Sequence, residues 1–323
     1  MLIRSLLLWI AQNKTVRRMI EFYGMHTKDS FARRFVAAKT LQETIPILLD
    51  LYQQGFKITL DILGERVTNR EEAVCAADHY VYALDALAKK KLTPQLSIKL
   101  SQLGIDVDPA LCEKNVERVL KRARRYQTFA RLDMESSQYT ARTLDTYYSL
   151  RRKGYNNFEV TTQAYLHRSK DDLTRHLKNK SRVRLCKGAY LEPASIAFSK
   201  KSDVNKNFFH LMLRLLRQGN HPAIATHDEN LINAAKAYAR AHNISHKNFE
   251  FEMLYGIRRD LADRLVKEGY TVRLYVPFGK EWYSYFVRRL LERPANAWFV
   301  VKNLFVEKFS MKRSEPGEVQ TAR

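Results

Sequence analysis

The sequence predicts an α/β chain whose strands close into one (βα)8 barrel, preceded by extra N-terminal helices. Three observations predict this. Eight short runs, rich in β-branched or aromatic residues or bounded by turn residues, follow one another along 323 residues. Segments of helical period separate them, and the run starts lie roughly 25–40 residues apart, the rhythm of parallel strands joined by crossover helices. Eight such units favour a closed barrel over an open sheet, and a barrel reaches this length as a single unit.

The runs are KITLDIL (57–63), QLSIKL (95–100), FARLDME (129–135), FEVTTQAY (158–165), VRLCKGAY (183–190), PAIATH (222–227), FEFEMLY (249–255) and VRLYVP (272–277). Between them, LDTYYSLRRKG (144–154) ends at a glycine suited to a helix C-cap, and LINAAKAYARAH (231–242) and RRDLADRLVKEG (258–269) share the helical period. This divides the chain into a helical arm (1–50), a catalytic barrel (51–307) and a polar, disordered tail (308–323). The opening MLIRSLLLWIAQNKTVRRMI reads as a helix rather than a signal peptide. Its apolar side with Arg4, Lys14, Arg17 and Arg18 suits a membrane surface, and packing on the barrel is the competing reading.

Composition narrows the function. Hydrophobic residues make up 45 %, enough for a large core. Lys+Arg number 56 against 34 Asp+Glu, a net charge of +22 that favours anionic partners. The charge is spread along the chain, without a basic stripe interleaved with stacking aromatics, which argues against a nucleic-acid module. Three cysteines without a CxxC pair disfavour a disulfide framework or structural zinc and fit a reducing cytoplasm. GxGxxG, GxxxxGK[ST] and HExxH are absent, which disfavours a Rossmann domain, a P-loop and a zinc protease site.

In this fold the site lies at the C-terminal strand ends. There the sequence places Lys99, Asp133, Met134, Glu135, Gln163, Tyr165, Arg184, Lys187, Tyr190, Thr226, His227, Glu252, Leu254, Tyr255 and Tyr275. A helix after the eighth strand adds Tyr285, Arg288, Arg289 and Glu292. A single charge at a strand end is more often a solvated rim residue, but Lys99, Arg184, Lys187, Arg288 and Arg289 together predict a cationic mouth opposed by few carboxylates. Arg288 and Arg289 point about 100° apart on a helix, so they converge on something between them, and one small carboxylate fits. Tyr285, three and four residues earlier, shares their face.

The chain resembles monofunctional bacterial proline dehydrogenases along nearly its whole length. The resemblance is carried by LSIKLSQLGID (96–106), RLDMESS (131–137), QAYLHRSKDDL (163–173), RLCKGAYLEP (184–193), IATHDE (224–229), FEFEMLYGIR (249–258) and YVPFGKEWYSYFVRRLLERPAN (275–296). It implies a distorted barrel binding FAD noncovalently, and oxidation of L-proline to Δ1-pyrroline-5-carboxylate with hydride passing to flavin N5. It further implies electrons passed to a membrane quinone, and pyrroline-5-carboxylate dehydrogenase as the next enzyme. By position, Arg288, Arg289 and Lys99 resemble the clamp on the substrate carboxylate, and Glu292 the carboxylate that positions it. Tyr275, Tyr285 and Leu254 resemble the walls around the ring. Asp133 and Arg184 resemble the catalytic pair, with Arg184 a donor near N5. Met134, Gln163, Lys187, Gly188, Ala189, Thr226 and His227 resemble further cofactor contacts, Gly188 by letting the backbone come close. The chain departs from the pattern at Phe278, where many relatives have tyrosine, at Ser136 within Glu-Ser-Ser, and at Cys186, which the sequence predicts to be buried and inert. Tyr275 fills a position that is smaller in hydroxyproline-preferring members, which implies a preference for proline. The location implied is cytoplasmic, with peripheral contact at the inner face of the cell membrane. A flavin-free barrel enzyme for another anionic metabolite is the competing reading.

Overall fold

The computed structural model describes residues 17, 18, 20, 24, 25, 30–64 and 66–292, with side chains as far as Arg289. Expectations for residues 1–16, for 293–307 and for the tail at 308–323 lie outside the described residues. Eight parallel strands pair in chain order and close on themselves: β1 (Lys57–Ile62), β2 (Gln95–Ile98), β3 (Ala130–Leu132), β4 (Phe158–Gln163), β5 (Val183–Cys186), β6 (Ala223–Ala225), β7 (Glu250–Leu254) and β8 (Val272–Phe278). The closing seam is the longest, running from Lys57 opposite Arg273 to Ile62 opposite Phe278. Most strands stop one to four residues short of the apolar runs, so that Lys99, Asp133 and His227 sit in the turns just beyond them.

Helix α1 (Leu41–Gln53) leads into β1, and α2 (Arg70–Lys89), α3 (Pro109–Arg125), α4 (Ser137–Arg152), α5 (Ser169–Lys178), α6 (Lys201–Gln218), α7 (Glu229–Ala241) and α8 (Arg259–Lys267) connect the strands. Helix α9 (Trp282–Glu292) follows β8. Their ends follow local chemistry. Asn69 caps α2 by accepting from the Glu72 amide at 2.8 Å, and Asp108 caps α3 with Pro109 in the first turn. Gly154, past the end of α4, takes a φ of +85° that lets the chain reverse without strain.

Alternation along the strands separates two interiors. Ile58, Leu60, Ile98, Leu132, Val160, Leu185, Phe251 and Leu274 are at most 2 % exposed. They form one apolar layer with helix residues such as Leu84, Val119, Leu144, Leu215 and Leu265. The intervening residues are polar or charged and reach across the barrel lumen. Arg131 of β3 is fully buried and pairs with Glu159 of β4 and with Glu250 and Glu252 of β7. Arg273 of β8 closes this layer through Glu250, donating from Nε at 2.7 Å and from Nη2 at 2.9 Å. Most such barrels fill this space with branched apolar side chains.

A second aromatic cluster fixes α9. Phe286 is fully buried against Phe31 and Phe35, with ring centroids 5.5 and 6.1 Å away. Ile20, Met25 and Trp282 join it, as do Tyr275 and Tyr285. The described residues ahead of α1 therefore pack at the C-terminal end of the strands rather than beneath the barrel.

Two predictions follow from buried charge. Arg131→Met removes the cation that Glu159, Glu250 and Glu252 share, leaving each with one arginine (Arg182, Arg273 and Arg184), and breaking a buried ionic cluster in this way costs about 3–5 kcal/mol. Urea unfolding should show that loss, and a loss below about 1 kcal/mol would remove the cluster from any structural role. His176, at the end of α5, is 1 % exposed with its Nδ1 2.7 Å from the Tyr148 hydroxyl. Burial pushes its pKa down from 6.5 to about 4. A depressed folded pKa means that the unfolded chain binds a proton the folded chain refuses. Stability therefore falls as pH drops from 6.5 towards 4, by up to about 1.4 kcal/mol per unit from this group. His176→Gln should flatten that part of the stability profile. Equal slopes in variant and wild type would contradict the assignment.

Candidate active site

The lumen network continues upward to the mouth. Glu252 accepts from Arg131 through one oxygen and from Arg184 Nη1 at 3.2 Å through the other. Arg184, from β5, then donates from Nη2 to Asp133 Oδ1 at 2.6 Å. Asp133, just past β3, also accepts from the Tyr275 hydroxyl of β8 at 2.8 Å, and its Oδ2 lies 3.5 Å from the Lys99 ammonium. Lys99, just past β2, donates to Asp61 Oδ1 of β1. Five of the residues singled out from sequence, Lys99, Asp133, Arg184, Glu252 and Tyr275, thus form one connected group.

The electrostatics of this group follow from burial and pairing. Burial works against the charge of Asp133, but Arg184 and then Lys99 overcome it and hold the carboxyl well below the usual carboxylate range. Burial, and after it the charge of Asp133, pushes the Tyr275 phenol far above its ordinary value, so it remains a donor. Burial also opposes the charge of Arg184, and Asp133 and Glu252 outweigh it. A carboxylate this strongly held is a poor proton acceptor, and Asp133 acts as a fixed anion that orients its three partners.

Other residues line the same end. Gln163 closes β4 and donates from Nε2 to the Met134 carbonyl at 3.0 Å. Lys187 pairs with Asp228 at 2.8 Å. His227 accepts the Leu254 amide on Nε2 at 2.8 Å, tying the turn after β6 to β7, and Thr226 Oγ1 accepts from the Asp228 amide at 3.1 Å. Leu254 is half-buried against the cluster holding Tyr275 and Tyr285. Ala189 is exposed. On α9, the Arg288 and Arg289 guanidinium carbons lie 5.9 and 4.9 Å from the Tyr285 ring centroid, so both cations converge on that ring. Tyr190, whose phenol burial pushes up, feels the charges of Arg288, Glu135, Lys99 and Asp133, which connects α9 with the lumen group. The Glu292 side chain lies outside the described residues.

Two sequence expectations change, and a third, for Gly188, is joined by a second reason. The mouth is not short of carboxylates: Lys99, Arg184 and Lys187 meet Asp61, Asp133, Glu252 and Asp228. Gly188, at φ +104°, is required by a protein neighbour, because a Cβ there would stand 2.1 Å from the Tyr165 ring. Cys186 is half-buried rather than buried, although burial still pushes its thiol up to about 11, which keeps it protonated and unreactive at neutral pH. Sequence reasoning missed Asp61 and the joining role of Glu252. The available signal was a charge at every second position of strands buried on both faces, as in FARLD (129–133) and FEFEM (249–253).

The chain matches the family model described as proline dehydrogenase over residues 47–302. It is 37 % identical over 303 residues to proline dehydrogenase 1 of Bacillus subtilis subsp. natto, a match covering 94 % of this chain and 99 % of that protein. It is also 37 % identical over 292 residues to the proline dehydrogenase of Deinococcus radiodurans, covering 89 % of this chain and 94 % of that protein. Among solved structures it is similar to proline utilization A (PutA) from Bdellovibrio bacteriovorus inactivated by N-propargylglycine. That match has a TM-score of 0.78 at 23 % identity, covers 89 % of this chain and 38 % of that chain, and speaks to the fold. Matched by the family model across its barrel and by relatives along nearly their whole length, this chain belongs to the proline dehydrogenase family.

Proposed function

We propose that the mouth oxidises L-proline to Δ1-pyrroline-5-carboxylate. The observation that carries this reading is the convergence of Arg288 and Arg289 on Tyr285, beside a lumen that presents Lys99 and Tyr275. Proline is a small ring with one carboxylate. Two guanidinium groups and an ammonium suit the carboxylate, while Tyr275, Tyr285 and Leu254 offer apolar walls for the ring. Oxidation removes a hydride from the carbon next to nitrogen and a proton from the nitrogen, leaving a C=N bond. The carboxylate is unchanged, so the same clamp holds substrate and product.

FAD, bound noncovalently, would supply the hydride acceptor, with electrons passing on to a membrane quinone. The residues at the strand ends fit such a group. Arg184 Nε and Gln163 Oε1 are buried and have no hydrogen-bond partner among the described residues, which offers one donor and one acceptor, and a flavin ring edge carries both kinds of complement. Arg184, kept charged by Asp133 and Glu252, would favour the reduced, more negative ring. Met134, Lys187, Gly188, Ala189, Thr226 and His227 lie along the same ends and are proposed as further contacts. The proposal keeps Glu292 as the carboxylate that positions the clamp, pyrroline-5-carboxylate dehydrogenase as the enzyme that takes the product, and a cytoplasmic location. It also keeps the division into arm (1–50), barrel (51–307) and tail (308–323). Among the described residues no helix is long and apolar enough to cross a membrane. Peripheral contact is supported by the net charge of +22, since each Lys or Arg near an anionic surface contributes about 1 kcal/mol.

Arg288→Met and Arg289→Met should each weaken proline affinity about tenfold or more, the worth of a hydrogen bond to a charged group. FAD affinity should stay within a few-fold of wild type, as read by flavin fluorescence. Unchanged proline kinetics in both variants would remove the clamp. With Tyr275 filling one wall, kcat/KM should be higher for L-proline than for trans-4-hydroxyproline, and the reverse order would show that this wall does not set specificity.

A further inference from the structure

Lys99 has an ammonium with three N–H donors, and the lumen accounts for two of them. One goes to Asp61 and the other points at Asp133, 3.5 Å away. These carboxylates are not equivalent. Asp133 is shared with Arg184 and Tyr275. Asp61 is 1 % exposed, its hydrogen bond is to Lys99, and its second oxygen is buried without a hydrogen-bond partner among the described residues. Its strand neighbours in register are Ser97 and Pro277, neither of which brings a charge.

The surroundings of Lys99 explain what this pairing achieves. Asp61 on β1, Asp133 after β3, Tyr275 on β8 and Tyr80 on α2 all act on it. Glu135 after β3, Tyr190 after β5 and Arg288 on α9 lie in the same field. Its side chain is 14 % exposed. Burial alone would push the ammonium towards its neutral form, and Asp61 is the largest charge opposing this.

We propose that Asp61 is a positioning residue for substrate binding, holding Lys99 charged and turned so that its third N–H serves a ligand carboxylate in the mouth. This rests on the reading of Lys99 as part of the carboxylate clamp. In this reading Asp61 acts on the ligand through Lys99 rather than by direct contact.

The test uses the FAD-loaded protein and a five-membered cyclic carboxylic acid with an ether oxygen in place of the amine. That probe keeps the carboxylate and removes the amine ionisation of proline from the pH profile. Its affinity is measured from about pH 6 to pH 10, a span set by the ordinary lysine range. Wild type should give a flat profile. Asp61→Asn should match it within a few-fold at the acid end and lose about tenfold in affinity per pH unit above the lowered lysine pKa. Asp61→Glu should restore the flat profile. A profile for Asp61→Asn that runs parallel to wild type, displaced or not, overturns the inference, because a packing role moves affinity without moving its pH dependence. Should the asparagine variant fold poorly, Asp61→Ser carries the same comparison. Nitrogen NMR of wild-type Lys99 adds an independent reading: an ammonium with no sign of titration up to about pH 11, above the ordinary lysine midpoint of about 10.4, supports the inference, and one half-titrated at or below that midpoint overturns it. If wild type holds FAD but does not bind the acid, the clamp reading fails and takes this inference with it. If wild type binds the acid and Asp61→Asn shows no new pH dependence, this inference alone fails.

Discussion

The chain of ion pairs inside the barrel is the constraint on which the rest of the structure depends. It runs from Arg273 and Glu250 through Arg131 and Glu252 to Arg184, Asp133, Lys99 and Asp61. Each of these charges, buried alone, would cost several kcal/mol. Together they neutralise one another link by link, so the position of each depends on its neighbours. The mouth is the upper end of this chain. Glu252 joins the fully buried Arg131 to Arg184, so charges deep in the lumen and charges at the mouth cannot be varied independently.

Two interiors divide the work. The apolar layer between strands and helices supplies the burial that holds the barrel closed. The lumen gives up some of that burial to present oriented charges. Helix α9 brings Arg288 and Arg289 to the mouth from outside this network, and its position depends on Phe286 packing against Phe31 and Phe35. Residues ahead of the barrel thereby fix a helix that follows its last strand.

Much of the fold was legible because barrel strands and crossover helices carry different periods and different stop signals. KITLDIL and FEVTTQAY announce strands by their branched and aromatic residues, and Gly154 ends its helix where the sequence places it. The strand-end rule located Lys99, Asp133, Arg184 and Tyr275, and the spacing of Tyr285, Arg288 and Arg289 predicted their shared face. Pairing was less legible. Asp61 sits in the middle of an apolar run, and its partner is 38 residues away. Arg131 meets Glu252 across 121 residues. Such partners are set by barrel closure and register, which hydrophobic period does not encode residue by residue. The same blindness produced the expectation of a cationic mouth opposed by few carboxylates. The packing reason for Gly188 was hidden for a related cause, since its neighbour Tyr165 comes from another strand turn.

The central claim is that this mouth brings proline to a flavin, and the visible absorption spectrum of the purified protein tests it most directly. The spectrum is recorded before and after adding L-proline without oxygen. The account predicts flavin bands, present as purified or after reconstitution with FAD, that bleach on addition of proline. Bands that persist would contradict proline as the substrate, and a protein that takes up no FAD would contradict the account at its base.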